Sequence, residues 1–123
     1  MVLNRSTLTN DGLTRLCGLT DLYGLEVGYT RIDDDGLTHI GRLGKLQHLS
    51  LRATHITDKG LKHLTGLTRL HTLYLDQTEI TDDGLKHLTG LTKLRTLLLY
   101  NTHVSDDGVK MLQESLPNCD IGR

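Results

Sequence analysis

The stretch LHTLYLDQTEITDDGLKHLTGLTK (residues 70–93) decides the fold, because the chain repeats its pattern at a fixed interval. The preceding stretch, LQHLSLRATHITDKGLKHLTGLTR (residues 46–69), matches it in register. One glycine of this pattern recurs every 24 residues, at Gly12, Gly36, Gly60, Gly84 and Gly108. A fixed period of this length is typical of a solenoid of stacked units. We therefore predict a single repeat domain over residues 1–123, with about five units and a short C-terminal strand.

The spacing of apolar residues changes partway through each unit. Pairs two residues apart, such as Leu73 and Leu75, indicate one face of a short strand. Leucines three residues apart then follow, at Leu85, Leu88 and Leu91, as on a short helix or 3₁₀ segment. Each unit is thus predicted to be a strand, a turn and a helical return. Because one unit cannot bury its apolar face alone, stacking must supply the core.

Polar residues repeat at the corner between strand and helix. One column is predicted to hydrogen-bond the turn backbone of neighbouring units: Ser6, Thr30, Thr54, Thr78 and Thr102. A second column is placed to cap the helices: Thr57, Thr81 and Ser105. Each of these caps is followed by an acid that offsets the helix dipole: Asp58, Asp82 and Asp106. The recurring glycine either avoids crowding the adjacent unit or adopts a positive φ, and the sequence leaves both possibilities open.

Composition and charge exclude several classes of partner. The 123 residues include 14 Lys and Arg against 15 Asp and Glu, a net charge of −1 with His neutral, so no strong field gathers nucleic acid or an anionic membrane. No apolar run approaches the roughly 20 residues that cross a bilayer, and the N-terminus lacks the apolar region of a secretory signal. Cys17 and Cys119 lie in the first and last units, about 20 Å apart at strand spacing, so both are predicted to be free thiols. If Met1 is the natural start, the expected location is cytoplasmic.

The pattern LxxLxLxxTxITDxGLxxLxxL resembles a leucine-rich repeat over residues 1–121. It is similar to the type with threonine in the usual asparagine column, which is common in bacterial repeat proteins and related to the repeats of F-box substrate receptors. The resemblance implies an α/β solenoid: a right-handed β–α arc with parallel strands on the concave face and short helices or 3₁₀ segments on the convex face.

The two ends depart from the usual pattern of such repeats. The chain begins inside a unit, at the strand Met1–Leu3, without a cap. It ends with a shortened strand, in which Cys119 and Ile121 take the inward positions. Since terminal caps normally keep repeat arrays soluble, we expect either a partner over the first strand or a longer parent protein.

Period-two geometry predicts which residues point outward from the strands, and we call the surface they form the strand face. The columns flanking the buried pairs hold Glu26 and Gly28, Ser50 and Arg52, Tyr74 and Asp76, and Leu98 and Tyr100. Five residues lie at its margins: Tyr29, His48, Thr72, Gln77 and Thr96. Here the repetition stops, because these columns mix acidic, basic, aromatic and apolar residues.

Three of the four tyrosines map to the strand face, in a chain without Phe or Trp. Tyr74 and Leu98 occupy one column in adjacent units, and Tyr100 lies beside them, which favours an interaction hot spot. The alternative is that tyrosine and leucine simply favour half-exposed strand positions. Arg52 and Asp76 are predicted to form a cross-strand pair or to contact a ligand. The predicted partner-binding residues are Glu26, Tyr29, His48, Ser50, Arg52, Tyr74, Asp76, Leu98 and Tyr100.

Two further columns suggest metals. His39, His63 and His87 repeat at one helical position, but units spaced about 8–10 Å apart hold imidazoles too far apart to share zinc or copper, so a solvent-facing repeat is expected. The acidic corner is a candidate for Ca²⁺, although capping already explains acids there and Lys59 interrupts the row: Asp33, Asp34, Asp35, Asp58, Asp82, Asp83, Asp106 and Asp107. We predict no cofactor and no metal.

No catalytic motif is present: the sequence has no GxSxG, P-loop, HExxH or dinucleotide fingerprint. We therefore predict a non-enzymatic module that binds a protein or peptide on its strand face. One alternative is an assembly module that self-associates or docks through the N-terminal edge strand, giving a monomer or a weak end-to-end oligomer. Another is the substrate-recognition part of a larger, ubiquitin-ligase-like protein, which depends on analogy alone.

Overall fold

A computed structural model describes residues 1–5 and 8–123, and the side chain of Cys17 lies outside that description. The predictions made for Ser6 in the threonine column and for the Cys17 thiol fall outside the described residues. Among the described residues, no helix has the length and apolar character needed to cross a membrane.

In the described part of the chain, five short parallel strands form one sheet in chain order. They are β1 (Gly24–Glu26), β2 (His48–Ser50), β3 (Thr72–Tyr74), β4 (Thr96–Leu98) and β5 (Asp120–Gly122). Their central residues pair in steps of one repeat, so that Leu25 lies beside Leu49 and Leu97 lies beside Ile121. The predicted first strand is reduced to a single parallel bridge, between Val2 and Glu26.

Short helices connect the strands on the return path of each unit. They are α1 (Asn10–Leu13), α2 (Asp34–Ile40), α3 (Asp58–Leu61), α4 (Asp82–Leu85) and α5 (Asp106–Ser115). Three of them continue into 3₁₀ segments, at Thr14–Gly18, Lys62–Leu64 and Lys86–Leu88. The structure is thus the predicted α/β repeat solenoid of alternating parallel strands and short helices.

One hydrophobic cluster runs along the array between the strands and the helices. The predicted strand pairs are fully buried: Leu25 and Val27, Leu49 and Leu51, Leu73 and Leu75, and Leu97 and Leu99. Leu85, Leu88 and Leu91 close the other side of the core, as their spacing predicted. At the C-terminus Cys119 is buried, and Ile121 packs against the cluster while partly exposed. Each buried leucine stabilises the array by roughly 1.5–3 kcal/mol.

The threonine column acts within units rather than between them, so that prediction was wrong. The hydroxyl of Thr54 donates to the carbonyl of Leu51, and Thr78 donates to Leu75, each at a separation of three residues. Thr30 and Thr102 make the same bond. The hydroxyl therefore satisfies a carbonyl of its own turn, which is the local side-chain bonding that threonine favours.

The predicted caps are confirmed, and they also join the units. The side chains of Thr57, Thr81 and Ser105 each accept a backbone N–H in the helix that follows. Each cap also donates its hydroxyl and its backbone N–H to the acid at the start of the preceding unit's helix. Thus Asp58 accepts both groups of Thr81, and Asp82 accepts both groups of Ser105. We call this series the carboxylate ladder.

At the first contact between units, the side-chain donor and the carboxylate acceptor of the carboxylate ladder change places. The cap of α2 is Asp33, which cannot donate through its side chain, and the residue facing it is Asn10 instead of an acid. The amide of Asn10 donates to Asp33 Oδ1 at 2.5 Å, and its Oδ1 accepts the N–H of Asp33 at 3.2 Å. The last acid of the series, Asp106, pairs with Arg123.

The recurring glycine is explained by crowding, because no glycine among the described residues has a positive φ. A β-carbon on Gly84 would meet the carboxylate of Asp58 and lie 3.0 Å from Leu61 Cδ1. The positive φ occurs instead at a column without glycine: Arg5, Tyr29, Ala53, Gln77 and Asn101. The backbone N–H of Ala53 there donates to the carbonyl of Asp76, so the left-handed turn continues the hydrogen bonding between units.

Candidate functional site

The parallel register of the sheet brings the outward-facing residues of the strands into rows. Glu26 lies opposite Ser50, Ser50 lies opposite Tyr74, and Tyr74 lies opposite Leu98. The strand face predicted from period two is therefore a continuous surface across four strands.

Seven of the nine predicted binding residues are at least partly accessible, whereas Ser50 and Asp76 are 3% and 1% exposed. For those two, the prediction of accessibility was wrong. The short side chain of Ser50 lies in its row between the longer Glu26 and Tyr74. Asp76 is covered because the guanidinium of Arg52 lies against its carboxylate.

The N-terminal half of the strand face is a polar network centred on Glu26. Its Oε2 accepts the amide of Asn4 at 2.8 Å, and its Oε1 lies 3.3 Å from Nε2 of His48. The Asn4 carbonyl oxygen accepts the backbone N–H of Gly28 at 2.7 Å. The His48 ring packs edge-on against Tyr74, with 5.3 Å between ring centres. Asn4 was missed by the sequence analysis, although it lies exactly one repeat before Gly28 in the same column.

Arg52 and Asp76 form the predicted cross-strand pair, with Arg52 Nε 3.1 Å from Asp76 Oδ2. The two atoms are not aligned as a hydrogen bond, and among the described residues neither has another partner. The other oxygen, Asp76 Oδ1, accepts the backbone N–H of Tyr100 at 3.0 Å. The Arg52 side chain remains 42% exposed, and its guanidinium carbon lies 6.0 Å above the Tyr74 ring. One end of the pair is thus anchored in the sheet and the other reaches solvent.

The tyrosines of the strand face differ in the groups that they contact. Tyr29 is 40% exposed and has a φ of 58°. The guanidinium carbon of Arg5 lies over its ring, 4.9 Å from the ring centre. Tyr100 is 47% exposed and lies over Gly122, where a β-carbon would be only 2.7 Å from its hydroxyl oxygen. Leu98 lies against the same glycine, so the C-terminal half of the strand face is aromatic and apolar.

A cavity of about 160 Å³ opens on the strand face. It is lined by Asn4, Glu26, Gly28, Tyr29, Ser50, Arg52 and Tyr74. Five of these residues belong to the predicted binding set, and they come from three consecutive units. The cavity is therefore where the structure brings the predicted residues together, whereas His48, Asp76, Leu98 and Tyr100 lie outside its lining.

Two larger hollows lie elsewhere and contain none of the nine predicted partner-binding residues. One, of about 240 Å³, separates α4 from α5 and is lined by Leu85, Met111 and Leu112 among others. The other, of about 620 Å³, lies along the loops around His71, Arg95 and Asn118. We favour the smaller cavity as the site, because tyrosine and charged side chains from different units converge only there among these three.

The two columns considered for metals have structural surroundings. His39, His63 and His87 are each partly exposed. Asp34, Asp58 and Asp82 each accept two hydrogen bonds across the carboxylate ladder. Hydrogen bonds from Ser105 lower the pKa of Asp82 below its usual value. Within residues 1–5 and 8–123, no group of three His, Cys, Asp or Glu side chains is placed to hold a metal ion.

Comparisons with known proteins agree with this architecture. A family profile described as Leucine Rich repeat matches residues 45–64. The structure of internalin C2 from Listeria monocytogenes is similar, with a TM-score of 0.76 and 25% identity over 98% of this chain and 50% of that one. A leucine-rich-repeat protein from Leptospira interrogans has a TM-score of 0.76 and 21% identity over 100% of this chain and 30% of its own.

A second internalin from the same Listeria strain is similar over 89% of this chain and 36% of its own, with 22% identity and a TM-score of 0.58. The chain thus spans half or less of the length of each of these proteins. No curated protein sequence matches it. Profile and structures together identify a leucine-rich-repeat solenoid.

Proposed function

We propose that this leucine-rich-repeat solenoid is a non-catalytic module that binds a protein or peptide on its strand face. Stacked repeats of this kind form extended concave surfaces on which partners dock. The observation that carries the proposal is the cavity, where side chains from three units converge beside half-exposed tyrosines. A location in the cytoplasm belongs to the same proposal, since the unpaired thiol of Cys119 suits a reducing compartment.

The strand face offers two kinds of contact. The cavity end presents charged and hydrogen-bonding groups, led by Arg52, which fix the orientation of a partner. The far end presents Tyr100 and Leu98, whose apolar area supplies affinity. A polypeptide lying across β1 to β4 would contact both ends, whereas a small molecule would fill the cavity alone.

Affinity capture from native lysate tests this proposal. The intact chain is compared with a variant that carries Tyr74→Ala, Leu98→Ala and Tyr100→Ala. A matched control truncates three exposed side chains of the helical segments instead, with Lys62→Ala, Lys86→Ala and Met111→Ala. All three proteins are first shown by circular dichroism to be folded. A partner held by the intact chain and the control, but lost by the strand-face variant, supports the proposal. A partner held equally by all three contradicts it.

A second candidate is docking through the N-terminal edge, and exposed apolar side chains favour it. Val2 is 68% exposed and Tyr23 is 59% exposed, and Met1 and Leu19 are also exposed. Exposed apolar side chains that lie together are typical of an interaction surface. Sedimentation over a wide concentration range tests self-association there: a mass that rises for the intact chain, but stays constant for Val2→Lys with Tyr23→Lys, would favour this candidate.

A further inference from the structure

We infer that the strand-face cavity binds a carboxylate of the partner polypeptide, with Arg52 as its anchor. This inference depends on the proposed function and adds the chemistry of the contact. It follows from comparing the hydrogen-bond acceptors and donors that line the cavity with the partners they already have.

The carboxylate oxygens in and below the cavity are already engaged. Glu26 accepts the Asn4 amide through one oxygen and contacts His48 through the other. Asp76 accepts the backbone of Tyr100 through Oδ1, and its Oδ2 is buried against Arg52. A ligand that brought hydrogen-bond donors would therefore have to share acceptor oxygens that already have partners.

Several hydrogen-bond donors of the cavity, by contrast, have no acceptor among the described residues. No described residue hydrogen-bonds the two terminal nitrogens of Arg52, and only its Nε is buried without a hydrogen bond, so the terminal nitrogens stay accessible. No described residue accepts from the hydroxyls of Tyr29, Tyr74 or Ser50, which line the same cavity. A hydroxyl can donate or accept, but a guanidinium can only donate. A ligand that binds Arg52 must therefore supply a hydrogen-bond acceptor.

The guanidinium is also held in place before any ligand arrives. Its Nε lies 3.1 Å from the buried Asp76 carboxylate, and its carbon lies above the Tyr74 ring. A planar, positioned guanidinium matches the two oxygens of a carboxylate, which gives paired hydrogen bonds that a lysine cannot reproduce. Positioning in advance lowers the entropic cost of binding.

Charge balance favours a single negative charge on the ligand. Near the cavity, Arg5 lies over the Tyr29 ring, Arg52 lies against Asp76 and Glu26 contacts His48. The formal charges of these two arginines and two acids cancel when His48 is neutral. A carboxylate meets one accessible cation without a net repulsive field. A doubly charged phosphate would be repelled more strongly than a carboxylate by Glu26 in the lining, which disfavours it. The cavity has room for one side chain, so the carboxylate is that of a Glu or Asp residue or of a chain terminus.

The test uses the ¹⁵N-labelled full chain and short peptides of matched size, followed by the NMR signal of Arg52 Nε–H. The probes are acetyl-Gly-Glu-Gly-amide, its Gln counterpart, and acetyl-Gly-Gly-Gly with a free terminal carboxylate, at constant ionic strength. A saturable shift with the Glu peptide and none with the Gln peptide supports the inference. A shift with the free terminus supports it as well and assigns the carboxylate to a chain end. Equal shifts with the Glu and Gln peptides overturn it.

Two variants keep the result independent of folding defects. Arg52→Lys preserves the charge over Asp76 and should weaken the Glu peptide about tenfold, because the paired hydrogen bonds are lost. Tyr74→Phe removes only a hydroxyl and should weaken it about fivefold. Arg69→Lys, at an exposed loop position, serves as the control and should leave the affinity unchanged. An unchanged affinity for Arg52→Lys would overturn the inference.

The outcomes separate this inference from the proposed function. If the natural partner is lost by the strand-face variant but Arg52 ignores every carboxylate probe, the binding surface stands and the carboxylate assignment is wrong. If Arg52 binds the Glu peptide but the strand-face variant keeps its partner, the carboxylate site is supported and the proposed function is contradicted.

Discussion

Replacing Asn10 by Asp should weaken the contact between the first two units, and adding Asp33→Thr should restore it. The later contacts of the carboxylate ladder place an acid against a hydroxyl donor, as Asp58 does with Thr81. The first contact places the donor on the other side, because Asn10 donates to Asp33. The single substitution puts two carboxylates face to face, whereas the double substitution recreates the arrangement of the other units.

The structure sets the size of the effect. The Asn10 amide lies 2.5 Å from Asp33 Oδ1, and losing a hydrogen bond to a charged group costs about 1.5–3 kcal/mol. Two carboxylates about 4 Å apart repel by roughly 1 kcal/mol in water. The single variant should therefore lose about 2–4 kcal/mol of unfolding free energy at pH 7. Like-charge contact raises the folded-state pKa of a carboxyl above its unfolded value, so the loss should shrink as the pH falls through that raised pKa.

Urea unfolding followed by circular dichroism at pH 7 and pH 4 measures the four members of the cycle. Asn118→Asp adds the same charge at an exposed turn and serves as the control, with an expected change within about 0.5 kcal/mol. The explanation fails if Asn10→Asp is as stable as the control, or if the double variant is no more stable than the single one. Either result would mean that the reversed polarity of the first contact carries no energy.

Three further substitutions or measurements probe the repeat itself. Ala53→Gly should raise the unfolding free energy by about 0.5–1 kcal/mol, because Ala53 has a φ of 52° and glycine relieves that strain at some entropic cost; urea unfolding measures it. Gly84→Ala should lower it by about 1–3 kcal/mol through the clash with Asp58, while Gly90→Ala, whose β-carbon meets nothing within 4 Å, should not. Burial raises the pKa of Cys119 to about 11, so in a Cys17→Ser background its reaction with a thiol reagent at pH 8 should be on the order of a hundredfold slower than in urea.

The features that could be predicted from the sequence are those that depend on the 24-residue period. The inward leucines, the caps and the parallel stacking all depend on positions that recur every 24 residues, so one unit explains the others. Prediction from the sequence failed where a side chain's surroundings depend on its neighbour's conformation. Asp76 lies on the outward side of its strand, as predicted, but is buried because Arg52 from the adjacent strand folds over it. The threonine hydroxyls were assigned to the wrong unit for a similar reason: spacing identifies a donor, but only the turn geometry selects its acceptor.

The repeat pattern also gave no indication that one column of residues has a positive φ. The column with positive φ includes Tyr29, Ala53 and Gln77, which are residues that disfavour this conformation. No glycine marks it, and only Asn101 in the column is of a type that favours this conformation. The conformation persists at Tyr29, Ala53 and Gln77 because each of their N–H groups donates to a carbonyl of the next unit, as Gln77 does to Tyr100, and the stacked array outweighs the local preference.

The outward column that begins at Asn4 separates structural from functional roles on the strand face. Asn4 and Asp76 each accept the backbone N–H of the residue one repeat later, so two of its varied residues serve the stacking. Gly28 leaves no room for a side chain, since a β-carbon there would lie 3.0 Å from the carbonyl of Arg52. Only Arg52 and Tyr100 in this column are left with accessible side-chain groups that the stacking does not use. Variation within a repeat is therefore not by itself a sign of binding. Tyr100 is where substitutions should change the partner without loosening the array, whereas Arg52 also covers the buried Asp76 carboxylate.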